Sequence, residues 1–233
     1  MRLCARAKTP YLSGTAQSKP RLNYSPAERR SDAAVHVAGV AFVAVSVPGL
    51  IWMTFHLGAT RQTLIGVSIY GATLVAMILF SALYNTVGQR RWGGLLKRLD
   101  HSAIYAKIAG TYTPFILAPG AHGWLLTGLW SAALAGIGLK AISPQRMRWL
   151  GLALYLGMGW AGIAAGSAFF GHLSPEVIAL ILIGGGLYTL GVVFYLAERL
   201  PFHYTIWHVF VLVASVSFYA AVALHVVQTA PAA

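Results

Sequence analysis

From residue 33 onward the chain is an almost unbroken series of apolar stretches of about 18 to 25 residues, separated at regular intervals by short polar or Pro/Gly-containing connections. A helix needs about 20 residues to cross a hydrocarbon layer of about 30 Å at 1.5 Å per residue. The pattern therefore predicts seven membrane-spanning helices, over residues 33–55, 62–84, 100–118, 122–142, 147–169, 175–197 and 204–227. Pro114, Pro119 and Gly120 blur the join between the third and fourth. Glycines recur in the fifth span (Gly151, Gly157, Gly159, Gly162, Gly166) and the sixth (Gly184, Gly185, Gly186, Gly191). In lipid such residues let helix backbones approach closely, so they are read as packing positions.

Composition supports this reading. Hydrophobic residues make up 58% of 233 and charged residues 9%, against about 25% charged in soluble domains. The lone Cys4 excludes an intramolecular disulfide framework and a Cys-rich zinc module. The predicted class is all-α, a polytopic seven-helix bundle, divided into a disordered basic tail over 1–32, a transmembrane domain over 33–227 and a short tail over 228–233. The basic tail has no apolar stretch of the secretory-signal kind; its Arg-rich start only faintly suits an organelle transit peptide.

The net charge of +12 raises the question of nucleic acid, but its distribution points to topology. Fifteen of the seventeen Lys and Arg fall in the amino-terminal tail and in the second-to-third, fourth-to-fifth and sixth-to-seventh connections; Arg61 lies on the opposite side and Lys107 within a span. The positive-inside rule then puts the amino terminus in the cytoplasm and the carboxyl terminus outside. Arg90-Arg91 is a topology signal on this reading, and no nucleic-acid partner is expected. The GxG groupings lie inside apolar spans with no preceding strand, which excludes a dinucleotide fold. Trp52, Trp92, Trp124, Trp149 and Trp207 near span ends suit an interfacial belt.

Intramembrane polar residues are where function concentrates in such a protein. His36, Ser81, Asn85, Asp100, His101, His203, Tyr204 and His208 all fall at the cytoplasmic ends of spans one, two, three and seven. His56, His122, His172 and His225 are scattered near the other boundary. Solvation at the interface is the plain explanation for each residue singly, and Asp100 can also serve as a helix-terminal acid. Lys107, two turns into the third span, is expected to snorkel or to lean toward Asp100.

These residues carry a resemblance. Ser81-Ala-Leu-Tyr-Asn85, Arg98-Leu-Asp100-His101-Ser-Ala-Ile-Tyr105, Ile108-Ala-Gly-Thr-Tyr-Thr-Pro-Phe115 and Ile206-Trp-His208-Val-Phe210 together resemble the bacterial haemolysin III family, over about residues 28 to 227. That family belongs with the progestin and adiponectin receptors and is distantly similar to alkaline ceramidases. The resemblance implies seven helices and a zinc site built from a serine and histidine on the second helix, an aspartate on the third and histidines on the seventh. Ser81, Asp100 and His208 match those positions; Asn85 and Tyr204 stand where histidines are expected, and Phe218 where a further one is often found. Zinc is therefore expected only if His203, His36 or His101 supplies nitrogen, since an amide and a phenol are poor zinc ligands beside imidazole.

Three functions follow from the resemblance. The first is a membrane protein with a degenerate zinc pocket, binding lipid or a small ligand and acting in membrane lipid homeostasis. The second is a zinc-dependent lipid-amide hydrolase with a rearranged ligand set, with Asp100 holding the water and Ser81 steadying the oxyanion. The third is a pore, for which no charged channel-lining stripe is visible. The expected partner is membrane lipid and the expected location the bacterial plasma membrane; oligomeric state is left open.

Overall fold

A computed structural model describes residues 24–87, 92–117, 123–142 and 148–231. Most of the expected basic tail, Arg90, Arg91, Pro119, Gly120, His122 and Arg146 lie outside them. Among the described residues all regular structure is helical: α1 (Pro26–His56), α2 (Arg61–Thr86), α3 (Gly93–Ile116), α4 (Gly123–Ile142), α5 (Arg148–Gly159), α6 (Ala161–Ala165), α7 (Ser167–Phe170), α8 (Pro175–Leu196) and α9 (His203–Thr229). Helices α1, α2, α4, α8 and α9 are each long and apolar enough to cross a membrane. Outward-facing side chains are themselves apolar, as with Val45, 77% exposed, and Ile142, 83% exposed. Such a surface suits lipid and not water.

The two other expected spans differ for separate reasons. Helix α3 is long enough but carries Lys97, Arg98, Asp100 and Lys107. It packs against α2, α4, α5 and α9, which buries Asp100 and Lys107, while Lys97 is partly buried and Arg98 exposed at the helix start. The second departure is in residues 147–169, expected as one helix, which break into α5, α6 and α7. The hydroxyl of Tyr112 enters the gap, donating to the Gly159 carbonyl (2.8 Å) and accepting from the Gly162 amide (3.0 Å). Both backbone groups thus keep a partner where the helical ladder is interrupted, as an interior without water requires. Gly166 completes the break at φ +54°, a backbone conformation that side chains with a Cβ rarely adopt.

Helix α1 starts at Pro26, seven residues before the expected boundary, so residues 26–32 are helical and belong to the bundle. Ser25 caps it: its Oγ accepts from the Glu28 amide (3.2 Å) while the Glu28 carboxylate accepts from the Ser25 amide (2.8 Å). This reciprocal arrangement, with Pro26 in the first turn, is a strong helix start.

Close packing sets the neighbours. A Cβ on Gly66 would stand 2.8 Å from the Pro114 backbone, so only glycine admits this α2–α3 approach. Helix α9 packs on α1, α2, α3 and α8, and α2 packs on α1 and α3, so the ends of α1, α2, α3 and α9 lie in one neighbourhood.

Candidate metal centre

The first turn of α1 is strapped to the first turn of α9. Glu28 Oε1 accepts from the Phe202 amide at 2.9 Å. Ser31 Oγ and Thr205 Oγ1 are 3.2 Å apart, and Thr205 Oγ1 donates to the Glu28 carbonyl at 3.4 Å. Phe202, just before α9, sits at φ +59°, an unfavourable conformation for a bulky residue that persists only where its surroundings hold it. One turn further along each helix, the strap brings Asp32 beside His208.

There the Asp32 carboxylate lies between two imidazoles. Oδ1 is 2.6 Å from His208 Nδ1, and Oδ2 is 3.4 Å from His36 Nε2, one turn on in the same helix. The imidazole rings are 4.5 Å apart between centroids. Both histidines are buried and Asp32 is partly so. One ligating atom from each of the three lies within 4.8 Å of the others. Ligands at about 2.0–2.2 Å from a tetrahedral zinc are about 3.4 Å apart, so an ion would need the 2.6 Å Asp32–His208 pair to part slightly while the set draws together. His36 Nε2 is buried and, apart from Asp32 Oδ2 at 3.4 Å, has no hydrogen-bond partner among the described residues, so an ion would compete with that one loose contact. Two imidazoles and a carboxylate are a zinc-type donor set with a fourth position left free.

Tyr204 sets its ring edge on His208, centroids 4.5 Å apart. Below it, Tyr24 stacks on Tyr204 at 5.9 Å, and its hydroxyl is 3.4 Å from His203 Nε2. Burial, and secondarily the Asp32 charge, pushes the Tyr24 phenol up to about 12, so it stays neutral at physiological pH.

The residues singled out in the sequence divide accordingly. His36 and His208 are in the donor group; among the described histidines and acids singled out, His203, Asp100 and His101 are not. Asp100 instead lies 3.4 Å from His101 Nδ1. Asn85 Nδ2 donates to the Ser81 carbonyl (3.0 Å) and reaches its Oγ at 3.4 Å. Lys107 does not lean toward Asp100; its Nζ donates to Thr111 Oγ1 at 2.8 Å, one turn deeper. Asp32 was the residue missed, because the expected disordered tail covered it. The Ser25-Pro26-Ala27-Glu28 capping signature and the Asp32/His36 spacing of four would have found it.

The comparisons with known proteins agree with this chain-wide pattern. A family model described as Haemolysin-III related matches residues 28–219. The chain belongs to the haemolysin III family. This family member is 35% identical over 206 residues to a protein named Hemolysin-3 homolog from Bacillus subtilis (strain 168), covering 86% of the chain and 95% of that relative. It is 37% identical over 191 residues to Hemolysin-3 from Bacillus cereus, covering 80% and 87%. A more distant match, 27% over 168 residues (66% and 67%), is to the human Monocyte to macrophage differentiation factor. With five helices among the described residues fit to cross a bilayer, this haemolysin III family chain is a multi-pass membrane protein.

Proposed function

We propose that the protein is a metal-dependent hydrolase of a membrane-lipid amide, holding one zinc-type divalent ion on Asp32, His36 and His208 at the cytoplasmic end of a seven-span bundle in the bacterial plasma membrane. The single observation carrying this reading is the convergence of the three ligating atoms within 4.8 Å. A zinc ion at such a site supplies Lewis acidity and an activated water at neutral pH. The chain's own residues do the rest. The α1–α9 strap fixes the two helix starts, Asp32 orients both imidazoles, and the apolar outer wall admits an acyl chain from the lipid side. The seven-span count counts α3 and the broken α5–α7 segment as spans. The cytoplasmic amino terminus rests on the Lys and Arg bias.

A second reading has its own observation. Asp32 and His208 already contact each other at 2.6 Å, as a metal-free hydrogen-bonded cluster would, and this favours a ligand-binding member acting in lipid homeostasis. Metal analysis of detergent-purified protein, with hydrolysis of a fluorescent long-chain ceramide read in parallel, separates the two. About one zinc per chain, lost together with turnover in His208→Ala, is the expected result. Absence of zinc after equilibration with excess metal overturns the hydrolase and leaves the metal-free cluster.

A further inference from the structure

Seven residues beyond Asp100, α3 carries a second feature that the metal centre does not use. Lys107 is 3% exposed. Its Nζ faces the rings of Phe218 (5.0 Å), Tyr70 (5.4 Å) and Tyr188 (5.6 Å) and donates to Thr111 Oγ1. All five acidic residues of the chain, Glu28, Asp32, Asp100, Glu176 and Glu198, are described, and none is within ion-pair distance of it. A buried ammonium with rings and one hydroxyl around it keeps some of its solvation through cation–π attraction but lacks a counter-charge. Intramembrane charges of this kind are costly and mark ligand paths.

Lys107 also lines a cavity. The cavity is open on one side and has a volume of about 70 Å³. The walls are apolar, including Ile104, Ile108, Ile163 and Ile181, and Trp160 borders it. The interrupted backbone between α5 and α6 lies on the same wall, through Gly159, Trp160 and Gly162. Irregular backbone at membrane depth is tolerated where it lines a cavity, and broken helices in membrane proteins border binding sites.

We infer that this cavity is a binding site for a single-chain amphiphile with a carboxylate head, such as a long-chain fatty acid, whose head pairs with Lys107 and whose chain lies along the isoleucine-lined wall. The single positive charge is matched by a monoanion; a phosphate head brings more charge into the same dry space than one ammonium offsets, and its desolvation is correspondingly worse. The site does not depend on the metal centre.

The test uses the full chain in detergent, with oleate and methyl oleate as probes and binding read by native mass spectrometry. Methyl oleate has the same chain without the charge. Oleate is expected to bind at one per chain, at least about tenfold more tightly than methyl oleate, the scale of one charge-assisted contact. Lys107→Met should bring oleate down to the methyl oleate level, while Lys107→Arg retains most of the preference. Zinc content measured on the same Lys107→Met sample should match wild type, so that failure here and failure of the metal centre are told apart. Equal affinity of wild type for the two probes overturns the proposal, whether or not the variants fold. So does undiminished oleate binding by a folded Lys107→Met.

Discussion

The protein keeps buried charge in two regions by opposite means. At the ends of α1 and α9, an acid sits between two imidazoles, and each group's partner comes from an element held by the Glu28–Phe202 strap. In the middle of α3, Lys107 has no acid partner and is held by rings and one hydroxyl. The first arrangement gathers three ligating atoms within 4.8 Å of one another, as a cation needs. The second is a lone cation beside an empty apolar space, as an anion needs. The difference teaches that in this bundle polarity alone does not mark a site's chemistry; the sign of what is missing does.

That contrast can be broken most forcefully at Asp32. Replacing it with alanine removes the one anionic ligand and leaves two neutral imidazoles, so zinc affinity should fall by about 100-fold or more, measured by competition with a metal chelator. Zinc binding at wild-type affinity in Asp32→Ala would remove the donor group from consideration. A smaller effect should come from the wall that the Lys107 cavity shares with the broken fifth segment. Tyr112→Phe takes away a hydroxyl that satisfies two backbone groups at once, at a cost of about 1–3 kcal/mol. A thermal midpoint lowered by several degrees, with zinc retained, would place that cost at the cavity and not at the helix ends; an unchanged midpoint would show that the break does not need the phenol. The smallest effect is expected for Asp100→Asn. Because Asp100 lies against His101 and outside the donor group, its zinc content should stay within about twofold of wild type, well short of a lost ligand. Loss of the metal in this variant would restore Asp100 as a ligand and displace Asp32 from that role.

Much of the architecture was legible in the residue pattern. The starts of α2, α4 and α8 lie within a residue of where the apolar stretches begin, because an isolated lipid-facing helix is specified by its own composition. The family was legible for the same local reason, in contiguous runs such as Ala109-Gly-Thr-Tyr-Thr-Pro-Phe115. Boundaries failed where hydropathy stops being the cause: α1 begins at a capping box in a polar segment, and the fifth span is interrupted by a tyrosine from α3, 47 residues away along the chain from Gly159.

The chain's order of apolar and polar residues determined that this is a helical membrane protein, which segments are helices, and that histidines gather at one set of helix ends. It could not determine which of those histidines meet an acid. His208 and Asp32 are separated by 176 positions, and their meeting depends on the rotation and depth of α9 against α1, fixed by the Glu28, Ser31 and Thr205 contacts. Lys107's lack of a counter-charge is likewise a property of everything packed around α3. Helix formation is decided by neighbours in sequence; convergence of side chains is decided by packing between helices far apart in it, and only the folded bundle records that.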